Sequence, residues 1–221
     1  MLEKAEKAGV NVNPEGARKA ILQAALKTFL EHGFGATSME KIAQAANVSR
    51  RTVFNQFASK EALFNASVEQ VWTGMPVLEI STDQRSFADP QTGLRELGLA
   101  ISDFWARPES VALVRLIISE ARTFPGLAQN YLERGKVPAL RGLISYLEKL
   151  KERGQLRLSD PDLAARQFVG LINEPLLWFR VLGLTDEPDS DRRSYVVSEA
   201  VAMFLSRYPM LSTQESANRH R

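Results

Sequence analysis

The sequence predicts an all-α protein in two parts, an N-terminal three-helix domain with a helix-turn-helix and a larger C-terminal helical bundle. Three observations predict it. Apolar residues recur at three- and four-residue spacings along most of the chain, the period of a helix with one buried face. Cap residues or Pro stand where those stripes begin, and Gly or Pro where they end. The one run that periodicity alone would allow as a buried strand, VALVRLIIS from Val111, follows Pro108 and Glu109, continues through Arg122 and has helical neighbours on both sides. It too reads as a helix.

In chain order, Pro14 and Glu15 suit a first helical turn, and Ile21, Leu22, Ala25, Leu26, Phe29 and Leu30 form its stripe until Gly33 stops it. Phe34 is expected to pack beneath the hairpin that follows. His32 reads as a helix-terminus residue rather than a ligand, since no second ligand lies at metal-binding spacing. The stretch TSMEKIAQAANVSRRTVFNQFASK, Thr37 to Lys60, then reads as helix, tight turn and helix. Thr37 and Glu40 make a capping box that predicts a helix from Ser38. Ile42, Ala43 and Ala46 share a face, and anything larger than a methyl at Ala43 would hold the two helices apart. Asn47 can turn the corner with a left-handed backbone, Val48 can plug it, and Ser49 can cap the second helix.

Arg50, Arg51 and Thr52 therefore fall in the first turn of the second helix, the part of a helix-turn-helix that faces base edges in the major groove. An arginine fork can donate twice to guanine O6 and N7, and Thr52 can touch a thymine methyl or donate to phosphate. Val53 and Phe57 should face inward, leaving Phe54, Asn55 and Gln56 at the edge of the groove. Ser59 can cap a further helix, and Lys60 in its first turn is placed as a phosphate clamp. Residues 1–60 hold nine Lys/Arg and five Asp/Glu, the remainder nineteen and twenty-one, so positive charge is concentrated at the N-terminal end. A basic run alone is usually a solvated helix face. A cap, a small residue, a corner and arginines at a second helix start, all coinciding, point instead to double-stranded DNA.

Beyond Ser59, Leu63, Phe64, Val68, Val71, Trp72 and Met75 extend a stripe until Gly74 and Pro76 interrupt it, predicting a helix that joins the two domains. A shift at its Trp72 end must be felt at Lys60. Residues 79–93, EISTDQRSFADPQTG, read as a loop. Leu94, Leu97, Ile101, Phe104 and Trp105 make a short amphipathic helix ended by Pro108. FPGLAQNYLERG and VPALRGLISYLEKLKERG each end in Arg-Gly, which reads as two glycine helix stops rather than a repeat or a phosphate loop. From Asp160 to Gly183 the chain is apolar nearly all round, predicting a helix covered on several sides and kinked at Pro175. A last helix from Arg193 to Tyr208 carries Val196, Val197, Ala200, Val201, Phe204 and Leu205 on one stripe.

The run GARKAILQAALKTFLEHGFGATSMEKIAQAANVSRRTVFNQFASKEALF, Gly16 to Phe64, resembles the DNA-binding domain of TetR/AcrR-type bacterial transcriptional regulators. The resemblance implies phosphate or base contacts from Thr37, Ser49, Arg51, Thr52, Phe54, Gln56 and Lys60. Three positions depart from the usual pattern: Arg51 stands where Gly is common, Phe54 where Tyr is common, and Gln56 where Tyr or His is common. Phe54 lacks the hydroxyl with which a tyrosine would bind phosphate. VRLIISEARTFPGLAQNYLERG together with GQLRLSDPDLAARQFVGLI resembles an AefR-like C-terminal domain over roughly Leu94 to Gly183, which implies a helical, ligand-sensing domain. In regulators of this kind the last two long helices pair with their copies, which implies a homodimer held by Leu177, Arg180, Val197, Val201, Phe204 and Leu205. The competing reading is that these faces close the chain's own core.

The expected organisation is a mobile arm over 1–13, a DNA-binding domain over 14–62, a ligand-binding and dimerisation domain over 63–211, and a mobile tail over 212–221. There is no cysteine and only two histidines, His32 and His220, so thiolate catalysis, disulfides and metal centres have few or no residues to build on, and no cofactor is expected. The N-terminus lacks the apolar core of a signal peptide and no run is long enough to span a bilayer, so the expected location is the cytoplasm, without a membrane partner. The expected function is a repressor released from a palindromic operator by a small lipophilic or aromatic effector. Its pocket would be walled by Trp72, Phe104, Trp105, Ile117, Glu120, Phe124, Tyr146, Phe168, Ile172, Asn173 and Leu176, most of which would be core in any fold. Glu120 and Asn173 are the more pointed clues, because polar groups in apolar helices need partners. No nucleophile, base or metal set supports an enzyme. The alternative is a helical DNA-binding adaptor or architectural protein without an effector.

Overall fold

A computed structural model describes residues 14–211, entirely as helices and their connections apart from one isolated bridge between Leu156 and Met210. The arm and tail expected at 1–13 and 212–221 lie outside the described residues. The chain divides into two compact units, the first running to Ser67 and the second from Val68.

The first unit is the expected three helices, α1 (Pro14–His32), α2 (Met39–Ala45) and α3 (Arg50–Gln56), with the start of α4 (Lys60–Thr73). Its core is Ile21, Ala25 and Phe29 of α1, Ile42, Val53, Phe57 and Leu63, all buried. Phe29, Phe34 and Phe64 pack with ring centroids 5.3–5.7 Å apart, placing Phe34 inside as expected. Gly33 ends α1 with φ +83°, a conformation that glycine alone adopts freely. Asn47 turns the corner at φ +53°. At the head of α2 the expectation is corrected by one residue. Ser38, not Thr37, is the cap, its Oγ accepting from Lys41 N–H at 3.2 Å. Thr37 is buried and its hydroxyl donates to the Gly33 carbonyl at 2.7 Å.

α4 continues unbroken past Ser67 into the second unit, which comprises α5 (Val77–Thr82), α6 (Gln84–Ala88), α7 (Pro90–Ala106), α8 (Pro108–Glu120), α9 (Pro125–Tyr131), a π-helical turn (Leu132–Lys136), α10 (Val137–Glu152), α11 (Pro161–Leu176), α12 (Trp178–Val181) and α13 (Ser190–Arg207). α7 lies at the centre and packs against α5, α6, α8, α11 and α13. A Cβ added at its Gly98 would stand 2.7 Å from Val197 Cγ1 of α13, so this glycine permits the close approach of the two helices.

Four expectations for this unit are corrected. Residues 79–93 are helical, because their polar members are caps: Asp83 accepts from Arg85 N–H at 2.9 Å, and Asp89 from Gln91 and Thr92 N–H at 3.2 Å, with Pro90 in the first turn of α7. Gly135 does not stop a helix. It sits inside the π turn, where an added Cβ would lie 2.2 Å from Trp72 Nε1, whereas Gly154 is a true stop at φ +66°. Around Pro175 the chain breaks rather than kinks, α11 ending at Leu176 and α12 starting after Leu177. Only one face of α11 is covered, through Ala164, Ala165, Phe168, Ile172 and Leu176, while Leu163, Trp178 and Phe179 are exposed.

Candidate functional site

The first surface with a chemical purpose is built on α3. Ser49 caps it, its Oγ accepting from Thr52 N–H at 3.0 Å and lying 2.8 Å from the Thr52 hydroxyl, which fixes the first turn. Val53 and Phe57 anchor the inner side in the core. That rotation leaves Arg50, Arg51, Phe54 and Asn55 exposed along one side of the helix, with Thr52 and Gln56 half-buried at its flank. The two arginines differ in their engagements. Arg50 pairs with Glu40 of α2 at 2.8 Å, and its guanidinium lies 5.3 Å from the Phe54 ring centre. Glu40 is held below its ordinary carboxylate range by its own backbone amide, by the Ser38 hydroxyl and by Arg50. Arg51 has no hydrogen bond or ion pair among the described residues.

Two members of the expected DNA set have internal duties. Thr37 is buried and bonded within the loop, so its side chain is not available to a nucleic acid; its neighbour Ser38 has the cap role expected of Thr37. Lys60 donates to the carbonyls of Phe34 at 2.8 Å and Thr37 at 3.0 Å and sits 4.4 Å over the Phe34 ring, clipping the start of α4 to the loop before α2. Its third donor reaches only Gly35 at 3.5 Å, the limit of a hydrogen bond, and can turn to a phosphate.

The second surface is a cavity of about 180 Å³ wholly within the second unit. Of the residues expected around an effector, the structure brings Trp72, Phe104, Trp105 and Asn173 together on its wall. Trp72 and Phe104 stack with centroids 4.3 Å apart, Phe104 meets Trp105 edge-on at 4.8 Å, and Trp105 Nε1–H donates to Asn173 Oδ1 at 2.8 Å. Ile117, Phe168, Ile172 and Leu176 are instead core, and Glu120, which ends α8, and Phe124, which precedes α9, lie off the wall. Tyr146 is fully buried, its hydroxyl donating to the Ser86 carbonyl at 2.6 Å. The same 3.6-residue stripe marks a core face and a cavity face alike, so sequence could not separate them. Missed were Tyr131 at the end of α9, Leu132 and Lys136 of the π turn, and Leu97, Ile101 and Val169.

The side chains expected between two copies are also relocated. Val197, Val201 and Phe204 are buried against α7 and α11, Leu205 is half-buried, and Leu177 lines the cavity. Arg180 is buried and its guanidinium donates to the Trp105 carbonyl, closing the C-terminal end of α7. What α11–α13 leave exposed are Leu163, Trp178, Phe179, Tyr195 and Met203, with Gly170 open to solvent.

Residues 21–67 match the family described as bacterial regulatory proteins, tetR family, and residues 92–210 match the AefR-like transcriptional repressor C-terminal domain. The second match alone spans more than half of the chain. The chain belongs to the TetR family of bacterial regulatory proteins. Its helix-turn-helix makes it a DNA-binding regulator in kind, and the relatives of this TetR-family chain are transcriptional regulators, not enzymes. The HTH-type transcriptional repressor NicS of Pseudomonas putida is 35% identical over 98 residues, 44% of this chain and 46% of NicS, so that match spans about half of the relative. The flavonoid-responsive regulator FrrA superposes with a TM-score of 0.70 at 32% identity, covering 87% of this chain and 96% of FrrA. A TetR transcriptional regulator from Agrobacterium tumefaciens gives 0.71 at 29% identity, covering 86% and 94%. Among the described residues no helix is long and apolar enough to cross a membrane.

Proposed function

We propose that this TetR-family chain is a cytoplasmic, homodimeric repressor that holds a pseudo-palindromic operator and leaves it when an aromatic effector fills the cavity. The observation that carries the reading is the capped α3, which offers Arg50, Arg51, Phe54 and Asn55 on one exposed face while Val53 and Phe57 lock its rotation. Two such helices related by a two-fold axis would enter successive major grooves about 34–36 Å apart. The dimer contact falls on the outer face of α11–α13, where Tyr195 and Met203 are more than half exposed and Gly170 lets a neighbouring helix come close.

Release needs a path from cavity to α3, and α4 supplies one. Trp72, near its end, forms cavity wall, and Lys60, its first residue, is clipped to the loop before α2. A ligand that displaces Trp72 shifts the helix that bears Lys60. A few kcal/mol of differential affinity between the two conformations changes operator occupancy substantially. That FrrA responds to flavonoids, which are polycyclic phenols, supports an aromatic effector for the similar second unit here.

The test is footprinting of the purified chain on DNA flanking its own gene, repeated with aromatic compounds. A two-fold symmetric footprint abolished by a compound is expected. A footprint of low sequence preference that no compound disturbs would favour an architectural protein instead.

A further inference from the structure

The polar inventory of the cavity wall is one-sided. The Trp105 indole can only donate, so the atom of Asn173 facing it at 2.8 Å is the carbonyl oxygen, and the Asn173 amide nitrogen is left with no partner among the described residues. The Tyr131 hydroxyl on the same wall has none either, and burial pushes its pKa up, keeping it a protonated donor. Lys136 is the one charged residue of the wall; no Asp or Glu lines it. Its ammonium makes no hydrogen bond or ion pair among the described residues. A molecule entering therefore meets N–H and O–H groups and a positive charge, while the amide oxygen of Asn173 already accepts from Trp105.

The remaining wall selects the other half of the molecule. All three tryptophans of the chain, Trp72, Trp105 and Trp178, contribute to it together with Phe104. Its volume of about 180 Å³ modestly exceeds the roughly 150 Å³ that accommodates a benzene ring, so it suits one ring or two fused rings. A plain hydrocarbon would fill that space but would shut the Asn173 and Tyr131 donors away from water unpaired, at a cost that an acceptor avoids. A cationic ligand would meet Lys136 and find no carboxylate to pair with. Leu132, Lys136 and Trp178 are the exposed members of the wall, so the charge sits with Trp178 where the cavity opens, and the buried rings of Phe104 and Trp105 line its depth.

We propose that the effector is an aromatic anion, an aryl carboxylate or phenolate, whose ring system lies among Trp72, Phe104 and Trp105 and whose charged oxygens are held by Lys136 with the free donors of Asn173 and Tyr131. The assignment rests on the cavity being the effector site. It accounts for Lys136 as the specificity-determining residue and for the π turn, both of whose ends, Leu132 and Lys136, lie on the wall beside Tyr131. Because Lys136 is exposed, its pull on the anion is screened by salt.

Intrinsic fluorescence tests this directly, since every tryptophan borders the cavity. The full-length chain is titrated with 2-naphthoate and with the neutral, near-isosteric 2-naphthamide. Naphthoate is expected to bind about tenfold more tightly, equivalent to roughly 1.4 kcal/mol, with the gap narrowing as sodium chloride is raised. Lys136→Met should bring naphthoate down to the affinity of naphthamide, and Lys136→Arg should keep the preference. Equal binding of the two probes to the natural chain, or a preference that survives in Lys136→Met, overturns the anion assignment while leaving the cavity an aromatic site. Quenching by neither probe at millimolar concentration removes both the assignment and the effector cavity on which it rests.

Discussion

Arg50 and Arg51 are neighbours in sequence and unequal in chemistry. To reach a base, Arg50 must leave Glu40, whose carboxyl is kept ionised by its backbone amide, Ser38 and Arg50 itself. Arg51, exposed at the same helix start, gives up nothing. Arg51→Ala is therefore expected to cost about 1–3 kcal/mol of operator binding and to relax base choice at one position; binding to a panel of single-base operator variants measures it, and unchanged selectivity would remove Arg51 from base readout. Lys60 has two roles to lose. Lys60→Met removes the clip to the Phe34 and Thr37 carbonyls, so the first unit should melt at lower temperature, and it removes a cation, so the logarithmic salt slope of DNA binding should fall by about one. A lower melting temperature with an unaltered slope would make Lys60 scaffold alone.

At the scale of elements, the informative case is the π turn. A helix of ordinary pitch through residues 132–136 would point Lys136 elsewhere, and the turn is tolerated because Gly135 has no side chain to meet the Trp72 indole. Gly→Ala inside a helix normally stabilises by about 1 kcal/mol. Here the new methyl would meet a rigid ring at 2.2 Å, not the end of a flexible chain, so overpacking wins. Gly135→Ala is expected to destabilise the second unit by about 1–3 kcal/mol and to shift its tryptophan emission; thermal melting with fluorescence checks both, and a stabilised variant would mean that Trp72 moves aside freely.

At the scale of the whole molecule, burial decides which apolar side chains can serve a partner. Val201 is 4% exposed and Met203, two residues along the same helix, is 58% exposed. Val201→Glu should unfold the second unit, since an unpaired charge in a core costs on the order of 4 kcal/mol or more. Met203→Glu should leave the fold intact and halve the mass in solution. Circular dichroism with light scattering separates the two outcomes, and a Met203→Glu chain that stays dimeric would move the contact off this face.

The chain's own sequence determined what depends on local chemistry: helical class from period, the corner from Asn47, the second cap from Ser49, and the inward turn of Val53 and Phe57, because caps, left-handed residues and stripes act within a few neighbours. It left the segment 79–93 misread because Asp83 and Asp89 serve equally as loop and cap residues until a hydrogen-bond partner is known. Tertiary packing alone decided that Val197, Val201 and Phe204 close the chain's own core, that Phe168 and Ile172 are core while Trp105 and Asn173 face a cavity, and that Gly135 accommodates an indole. The reason is common to all three: a stripe says that a face is covered, and what covers it, a helix of the same chain, a second copy or a ligand, depends on residues tens of positions away.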